Sequence, residues 1–241
     1  MTQATAAPLP ARGRRGFLIA ALPLAAAILC LALGIWQIER RAWKLDLIAR
    51  VEARLAAAPV PAPGRAAWPE IAPAADEYRR VVARGRFLPD RAVRVMAVTE
   101  HGPGFWLLVP LVTAAGDTIL INRGFVPAGW HPPPGGEAEP VTVRGLMRMP
   151  EPGGAFLRSN DPAADRWFSR DVAAIAAARG LGPVAPFFID ADASANGPGQ
   201  PIGGLTVVAF RNTHLVYALT WFALSALSAY AVFRLLREPR P

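Results

Sequence analysis

The run Asn212-Thr213-His214-Leu215-Val216-Tyr217-Ala218-Leu219-Thr220-Trp221-Phe222-Ala223-Leu224-Ser225-Ala226-Leu227-Ser228-Ala229-Tyr230-Ala231-Val232-Phe233 holds no Asp, Glu, Lys or Arg over 22 residues. About 20 apolar residues suffice for a helix to cross a bilayer, so the stretch reads as a membrane span. A second charge-free stretch, Gly16 to Ile38, lies near the other end of the chain. The roughly 170 residues between them are then one domain held at both ends, large enough to bury its own core. An imidazole just inside a spanning helix is costly to keep there, which makes His214 a functional candidate.

Composition agrees with a membrane protein that carries one folded domain. Apolar residues make up 53% of the chain and charged residues 18%, and the mean hydropathy is +0.26. A net charge of +8 raises the question of nucleic acid, but only Lys44 among the 26 basic residues is a lysine, and the arginines are scattered. A phosphate-binding surface needs a basic stripe, so nucleic acid is not an expected partner. The lone cysteine, Cys30, lies within the first apolar stretch and excludes a disulfide framework, a CxxC redox pair and a cysteine zinc site.

Arg14-Arg15-Gly16-Phe17-Leu18 matches the core of a twin-arginine export signal, with Arg12 adding to the positive leader. The apolar stretch exceeds the roughly 7 to 15 residues of a cleaved signal, and no small-x-small site precedes a domain start. A retained anchor is expected. The tail 1–15 carries Arg12, Arg14 and Arg15, and the tail 234–241 carries Arg234, Arg237 and Arg240. By the positive-inside rule both tails are cytoplasmic and the domain lies outside, although Arg40, Arg41 and Lys44 on the loop side of the first span bring the counts close.

Past the first span, Trp36, Trp43, Leu47, Val51 and Leu55 recur at spacings of seven and four, which predicts an amphipathic helical extension over 39–55. Residues 56–75 are rich in proline and alanine and read as an extended linker. Segments of strand character follow: Tyr78 to Phe87, Ala92 to Val98, Phe105 to Val112, Thr118 to Asn122, Val141 to Arg148, Pro186 to Ile189 and Thr206 to Phe210. Turn residues at Gly102-Pro103-Gly104, Gly116-Asp117 and Pro132 to Gly136 punctuate them. One helix interrupts the series, capped near Ser169 or Asp171 and stopped at Gly180. The expected fold is α+β: two spans, 16–38 and 212–233, flanking an antiparallel barrel or sandwich over 76–211 with one packed helix.

Enzyme signatures are missing. The sequence has no Gly-x-Ser-x-Gly elbow, no Gly-rich phosphate loop and no His-Glu-x-x-His helix. His101 falls in a hairpin turn and His131 beside a run of prolines, so a catalytic metal cluster in the domain is not expected. The chain reads as a non-enzyme.

The second span is richer. At about 100° per residue, His214, Tyr217, Ala218, Trp221, Ser225 and Ser228 share one face, and Leu215, Leu219, Phe222 and Ala226 share another. Small and hydroxylated residues favour contact with another helix. His214 and Trp221 are nearly aligned and about 10 Å apart along the axis, a cradle in which a flat apolar macrocycle fits with the imidazole as axial ligand. The plainer reading is that His214 hydrogen-bonds at the interface while Trp221 packs on the first helix. Arg211, one turn earlier, either pairs with carboxylates of whatever ligand sits there or anchors the helix end.

Arg211-Asn212-x-His214-Leu215-x-Tyr217-x-x-Thr220-Trp221 resembles the second transmembrane helix of the surfeit locus protein 1 family, assembly factors of cytochrome c oxidase. Gly34-x-Trp36-Gln37-x-x-Arg40-Arg41-x-Trp43-Lys44-Leu45 resembles the family's first helix and its exit. Gly116 to Pro127, with its Asn122-Arg123-Gly124 centre, resembles a family strand. Asn160, Trp167, Arg170-Asp171, Phe188-Ile189-Asp190 and Pro201-Ile202-Gly203-Gly204 follow in the family's order. The resemblance implies a non-enzymatic role in maturing the haem-bearing core subunit of the oxidase, in a bacterial inner membrane with the domain in the periplasm. It also implies haem A binding through His214 as iron ligand and Trp221, with Tyr217 and Arg211 as further candidates. The core subunit, haem A synthase and the lipid bilayer are the partners so implied. A scaffold that binds oxidase subunits without haem is the alternative. Arg123 is expected to make a structural salt bridge within the domain.

Overall fold

The computed structural model describes residues 12–131, 139–155, 157–196, 199 and 201–237. The chain divides into two compact units, Val51–Val208 and Met1–Arg50 with Ala209–Pro241.

The first unit is built on strands β1 (Val60–Pro61), β2 (Arg80–Phe87), β3 (Val93–Thr99), β4 (Gly102–Thr113), β5 (Thr118–Pro127), β6 (Val141–Arg148) and β7 (Val184–Ala191). Their order is β1-β2-β6-β7-β5-β4-β3, and β2 also pairs with β4. That extra pairing joins β2, β6, β7, β5 and β4 into a closed ring, which removes the free edges that an open sheet would leave. Of the two architectures expected, the barrel is the one formed. Two pairings are parallel, β1 with β2 and β5 with β7, so the sheet is mixed and not the purely antiparallel one expected.

Side chains from β5 and β7 serve two cores, which is why both strands read as continuous apolar runs. Ile119, Ile121, Phe187 and Ile189 fill the barrel interior with Val81, Leu111 and Met147. Leu120 and Phe188 point the other way, into a second cluster with Trp167, Val172 and Ile175. Val172 and Ile175 belong to helix α3 (Val172–Arg179), which Asp171 caps by accepting from the Ala174 N–H at 3.1 Å, and which stops at Gly180. The helix therefore lies outside the barrel, over β5 and β7, with Trp167 fully buried beneath it.

Residues 56–75 are not a free linker. Val60–Pro61 runs beside Val81 and Val82, Trp68 and Ile71 pack on the barrel core, and the Trp68 indole donates to the Pro63 carbonyl at 3.1 Å. A helical turn, α2 (Pro73–Asp76), closes the segment. Proline suits an edge strand because it lacks only the donor that the outer side does not use. Thr206 to Phe210, in turn, forms no strand. Its β-branched and aromatic residues have the composition of one but, among the described residues, no partner strand. The expected turn at Pro132 to Gly136 lies outside the described residues.

The second unit holds the greater part of α1 (Arg12–Ala56) and all of α4 (His214–Arg237). Both are long and apolar enough to cross a membrane. Helix α1 runs without a break through Ile38 to Ala56, with Pro23 inside it.

Candidate functional site

Along α1 the less exposed stripe passes through Ala20, Pro23, Ala27, Cys30, Gly34 and Gln37; along α4 it passes through His214, Ala218, Trp221, Ser225, Ser228, Val232 and Leu235. Alternating steps of three and four keep such positions on one helical face, as in a two-helix seam. Small residues line it: Ala27 and Ala218 are buried, and a Cβ added at Gly34 would sit 2.4 Å from Phe222 Cε1. Without a methyl group there the Phe222 ring lies directly on the α1 backbone, close contact of the kind that holds helices together where lipid offers no hydrophobic driving force.

Two hydrogen bonds fix the register. Ser225 Oγ donates to the Ala27 carbonyl at 2.8 Å. Ten residues further along α1, Gln37 meets His214, eleven residues earlier along α4, so the helices run antiparallel. The contact is from His214 Nδ1 to Gln37 Oε1 at 2.7 Å. An amide oxygen only accepts, so Nδ1 carries a proton in this contact, and in the neutral imidazole Nε2 is then the nitrogen with the lone pair. A histidine held at one nitrogen by a carbonyl group, with the other nitrogen basic, is in the state of a metal-ligating imidazole. Among the described residues no group of three His, Cys, Asp or Glu side chains could hold a bare metal ion. A single oriented imidazole instead fits an iron whose other ligands come from a macrocycle.

The remaining predicted site residues fall as follows. Trp221 is half-buried on the stripe with His214. Tyr217 is 55% exposed, beside the stripe rather than on it. Phe222, assigned by periodicity to the opposite, greasy face, turns towards Gly34. Arg211 is exposed in the segment before α4, whose first turn is held by Asn212 Oδ1 accepting from the His214 N–H at 3.4 Å. Trp36 and Trp43 lie one position off the α1 stripe and remain about half exposed. Sequence reading gave Gln37 no role. Its signal was an amide three residues after a glycine in a span otherwise nearly free of hydrogen-bonding side chains.

Within the barrel unit, Asn122 and Arg170 from two of the other motifs converge, with Arg148 and Thr206, on one buried carboxylate. Asp190 accepts from Asn122 Nδ2 at 2.8 Å, Arg148 Nη1 at 2.8 Å, Thr206 Oγ1 at 2.9 Å and Arg170 Nη1 at 3.3 Å. Both guanidiniums also lie over the Phe188 ring. Arg170 Nε donates to Glu151 Oε2 at 3.0 Å. Burial disfavours ionisation of Glu151, but the hydrogen bonds and charge of Arg170 outweigh it and hold the carboxyl below its ordinary value.

One residue away from Asn122, Arg123 Nε donates to Asn196 Oδ1 at 3.0 Å and the guanidinium lies over Phe87. Gly124 has φ +122°, and a Cβ there would fall 2.0 Å from the Ile202 carbonyl oxygen. Phe125 and Ile202 exchange two backbone hydrogen bonds of 2.9 Å at that point. Asn122, Arg123, Gly124, Asp190 and Thr206 thus fasten the segment that leaves β7 towards the start of α4.

Together these features define a β-barrel domain carried between two helices of membrane-spanning length, with an oriented imidazole on the seam of the helix pair. The model of the SURF1 family matches residues 24–226. The chain is 37% identical over 223 residues to surfeit locus protein 1 of Homo sapiens, covering 84% of this chain and 72% of that one. It is 36% identical to surfeit locus protein 1 of Rattus norvegicus, covering 84% and 70%. With the SURF1-like protein of Monosiga brevicollis it shares 35% identity over 93% of this chain and 90% of that one. The chain belongs to the SURF1 family.

Proposed function

We propose that this protein is a membrane-anchored, non-enzymatic assembly factor for haem-copper cytochrome c oxidase, which holds haem A at the outer end of α4 and assists its insertion into the oxidase core subunit. The observation that carries the reading is the bond from His214 Nδ1 to Gln37 Oε1, which leaves Nε2 as a basic nitrogen where iron can be ligated. Trp221 lies on the same stripe and supplies an aromatic surface for a flat ring. A single protein ligand leaves haem exchangeable, as a delivery protein needs. Tyr217, exposed beside the stripe, and Arg211, exposed at the helix start, flank the place where the cargo would lie.

In this reading α1 and α4 both cross a bacterial inner membrane, with both termini in the cytoplasm and the barrel in the periplasm. The site then lies near the outer bilayer surface, from which haem passes laterally to the core subunit or is received from haem A synthase. A second reading has one observation in its favour. His214 already has a protein partner, so a structural pair would suit a scaffold that binds oxidase subunits without haem.

The test is the visible spectrum and pyridine haemochrome of the protein purified in mild detergent after co-expression with the haem A synthesis enzymes. A haem A signal near one per chain, lost in His214→Ala, is expected. Colourless, folded wild type would leave the scaffold.

A further inference from the structure

The charge of this chain is unevenly distributed. Between Val51 and Val208 there are 15 basic and 15 acidic residues, so the whole excess of +8 belongs to the unit formed by 1–50 and 209–241. The cations that follow Gln37 on α1 fall into two groups. Arg40 lies over the Trp43 ring at 4.0 Å, and Arg50 is paired with Asp46. Arg41 and Lys44 have neither kind of partner: among the described residues they make no hydrogen bond and no ion pair.

Those two unpaired cations continue the stripe that carries the site. Gln37, Arg41 and Lys44 are separated by steps of four and three, and all three are partly buried where Arg40, Ala42 and Trp43 are exposed. They therefore face the same way as the residue that holds His214, with Arg41 about 6 Å and Lys44 about 10 Å further along the axis. The positive end of the α4 dipole lies at His214 itself. Nearby acids do not offset this charge, since Glu39 is exposed off the stripe and Asp46 is taken by Arg50. Two half-buried cations left unpaired above a spanning helix cost free energy unless an anion joins them.

We propose that Arg41 and Lys44 together form the carboxylate-holding end of the His214 site and bind the two propionates of the porphyrin. This rests on the haem-holding reading of His214. A porphyrin of this class carries both carboxylates on one edge, so a protein that ligates the iron from a membrane helix meets both at the aqueous end. The Arg41 guanidinium offers a fork to one carboxylate, and the Lys44 ammonium a point charge to the other. Arg211, exposed and ahead of the helix, is the weaker candidate for this task. The arrangement also sets the direction of loading: the apolar edge of the ring points into the bilayer and the acidic edge out.

The test compares haem A with haem A dimethyl ester, in which the propionates are masked. Each is titrated into full-length protein purified without haem in mild detergent, and binding is read from the Soret band. Wild type is expected to bind the free acid about tenfold or more tightly than the ester. Arg41→Gln/Lys44→Gln is expected to bind both alike while keeping the wild-type Soret position, and Arg40→Gln to behave as wild type. Equal affinity of wild type for acid and ester, or a preference that survives in the double variant, would overturn this proposal alone. Failure of wild type to bind either compound would overturn it together with the haem-holding reading.

Discussion

Gln37 Oε1 accepts from His214 Nδ1 at 2.7 Å, joining residues 177 positions apart in the chain. A pair so distant in sequence sets both the register of the two helices and the tautomer of the imidazole. Replacing Gln37 with Leu removes the acceptor and leaves His214 free to turn. Loss of such a supporting partner typically costs about 10- to 100-fold in affinity for the ligated group. Gln37→Leu is expected to weaken haem binding by that order, and Gln37→Glu, which restores an acceptor, to recover it. A Gln37→Leu variant with unchanged affinity and spectrum would show that the bond is structural only.

Gly34 sits under the Phe222 ring, with room for no side chain. Gly34→Val places two methyl groups into that ring, forces the helices apart and pulls Gln37 away from His214. We expect weaker protection of the helix pair against proteolysis in detergent, and any haem binding to fall as it does in Gln37→Leu. Gly34→Ala should be milder, since the ring of Phe222 can swing. Equal behaviour of Gly34→Val and wild type would mean that the close approach does not hold the pair.

Much of the barrel was legible because its signals are local. Val141 to Arg148 opens with alternating valines and lies between Pro140 and Pro150, and the strand found has the same ends. The alanine run after Val172 and Gly180 as stop mark α3, and of the two cap candidates, Ser169 and Asp171, it is Asp171 that caps it. What was not legible depends on distant partners. The prolines at 59, 61 and 63 read as a linker because proline breaks regular structure, yet an extended proline segment is already shaped to lie along β2. Thr206 to Phe210 reads as a strand by composition, but Asp190 takes the Thr206 hydroxyl and among the described residues no strand is alongside. At the candidate site, His214 is visible because an imidazole in a span stands out. Gln37 is not, because its role exists only once α4 is beside it.

Asp190 is buried and receives hydrogen bonds from two guanidiniums, an amide and a hydroxyl. Removing one member of a buried ionic cluster leaves the others desolvated and unpaired, at a cost of about 3 to 5 kcal/mol. Asp190→Ala is therefore expected to destabilise the barrel by that amount, read as a shift in the urea midpoint by pulse proteolysis. It also frees Thr206, so the segment leading to α4 should become cleavable at lower protease concentration. A loss of under about 1 kcal/mol, the scale of an exposed ion pair, would mean that Asp190 does not organise the cluster.

Glu151 gives the domain a defined acid response. Burial opposes its charge, but the hydrogen bonds and charge of Arg170 prevail and hold its carboxyl below the ordinary 4.5. Asp76, which also overcomes burial by accepting from the Ala72 N–H and pairing with Arg79, lies below its ordinary 3.8. A carboxylate whose folded pKa is depressed adds stability that is present in full above its unfolded value and is lost as the pH falls through the folded one. The domain should therefore hold its stability down to about pH 4.5 and lose it progressively below. Glu151→Gln lacks this contribution, so it should be less stable than wild type at pH 7, and the difference should shrink as the pH drops below 4.5. Because the Glu151 side chain is 42% exposed, solvent screens the pair and the effect is smaller than that of Asp190→Ala. Urea midpoints measured from pH 7 to pH 3 read it directly. A difference between the two proteins that stays constant across that range would show that Glu151 acts by packing and not by charge.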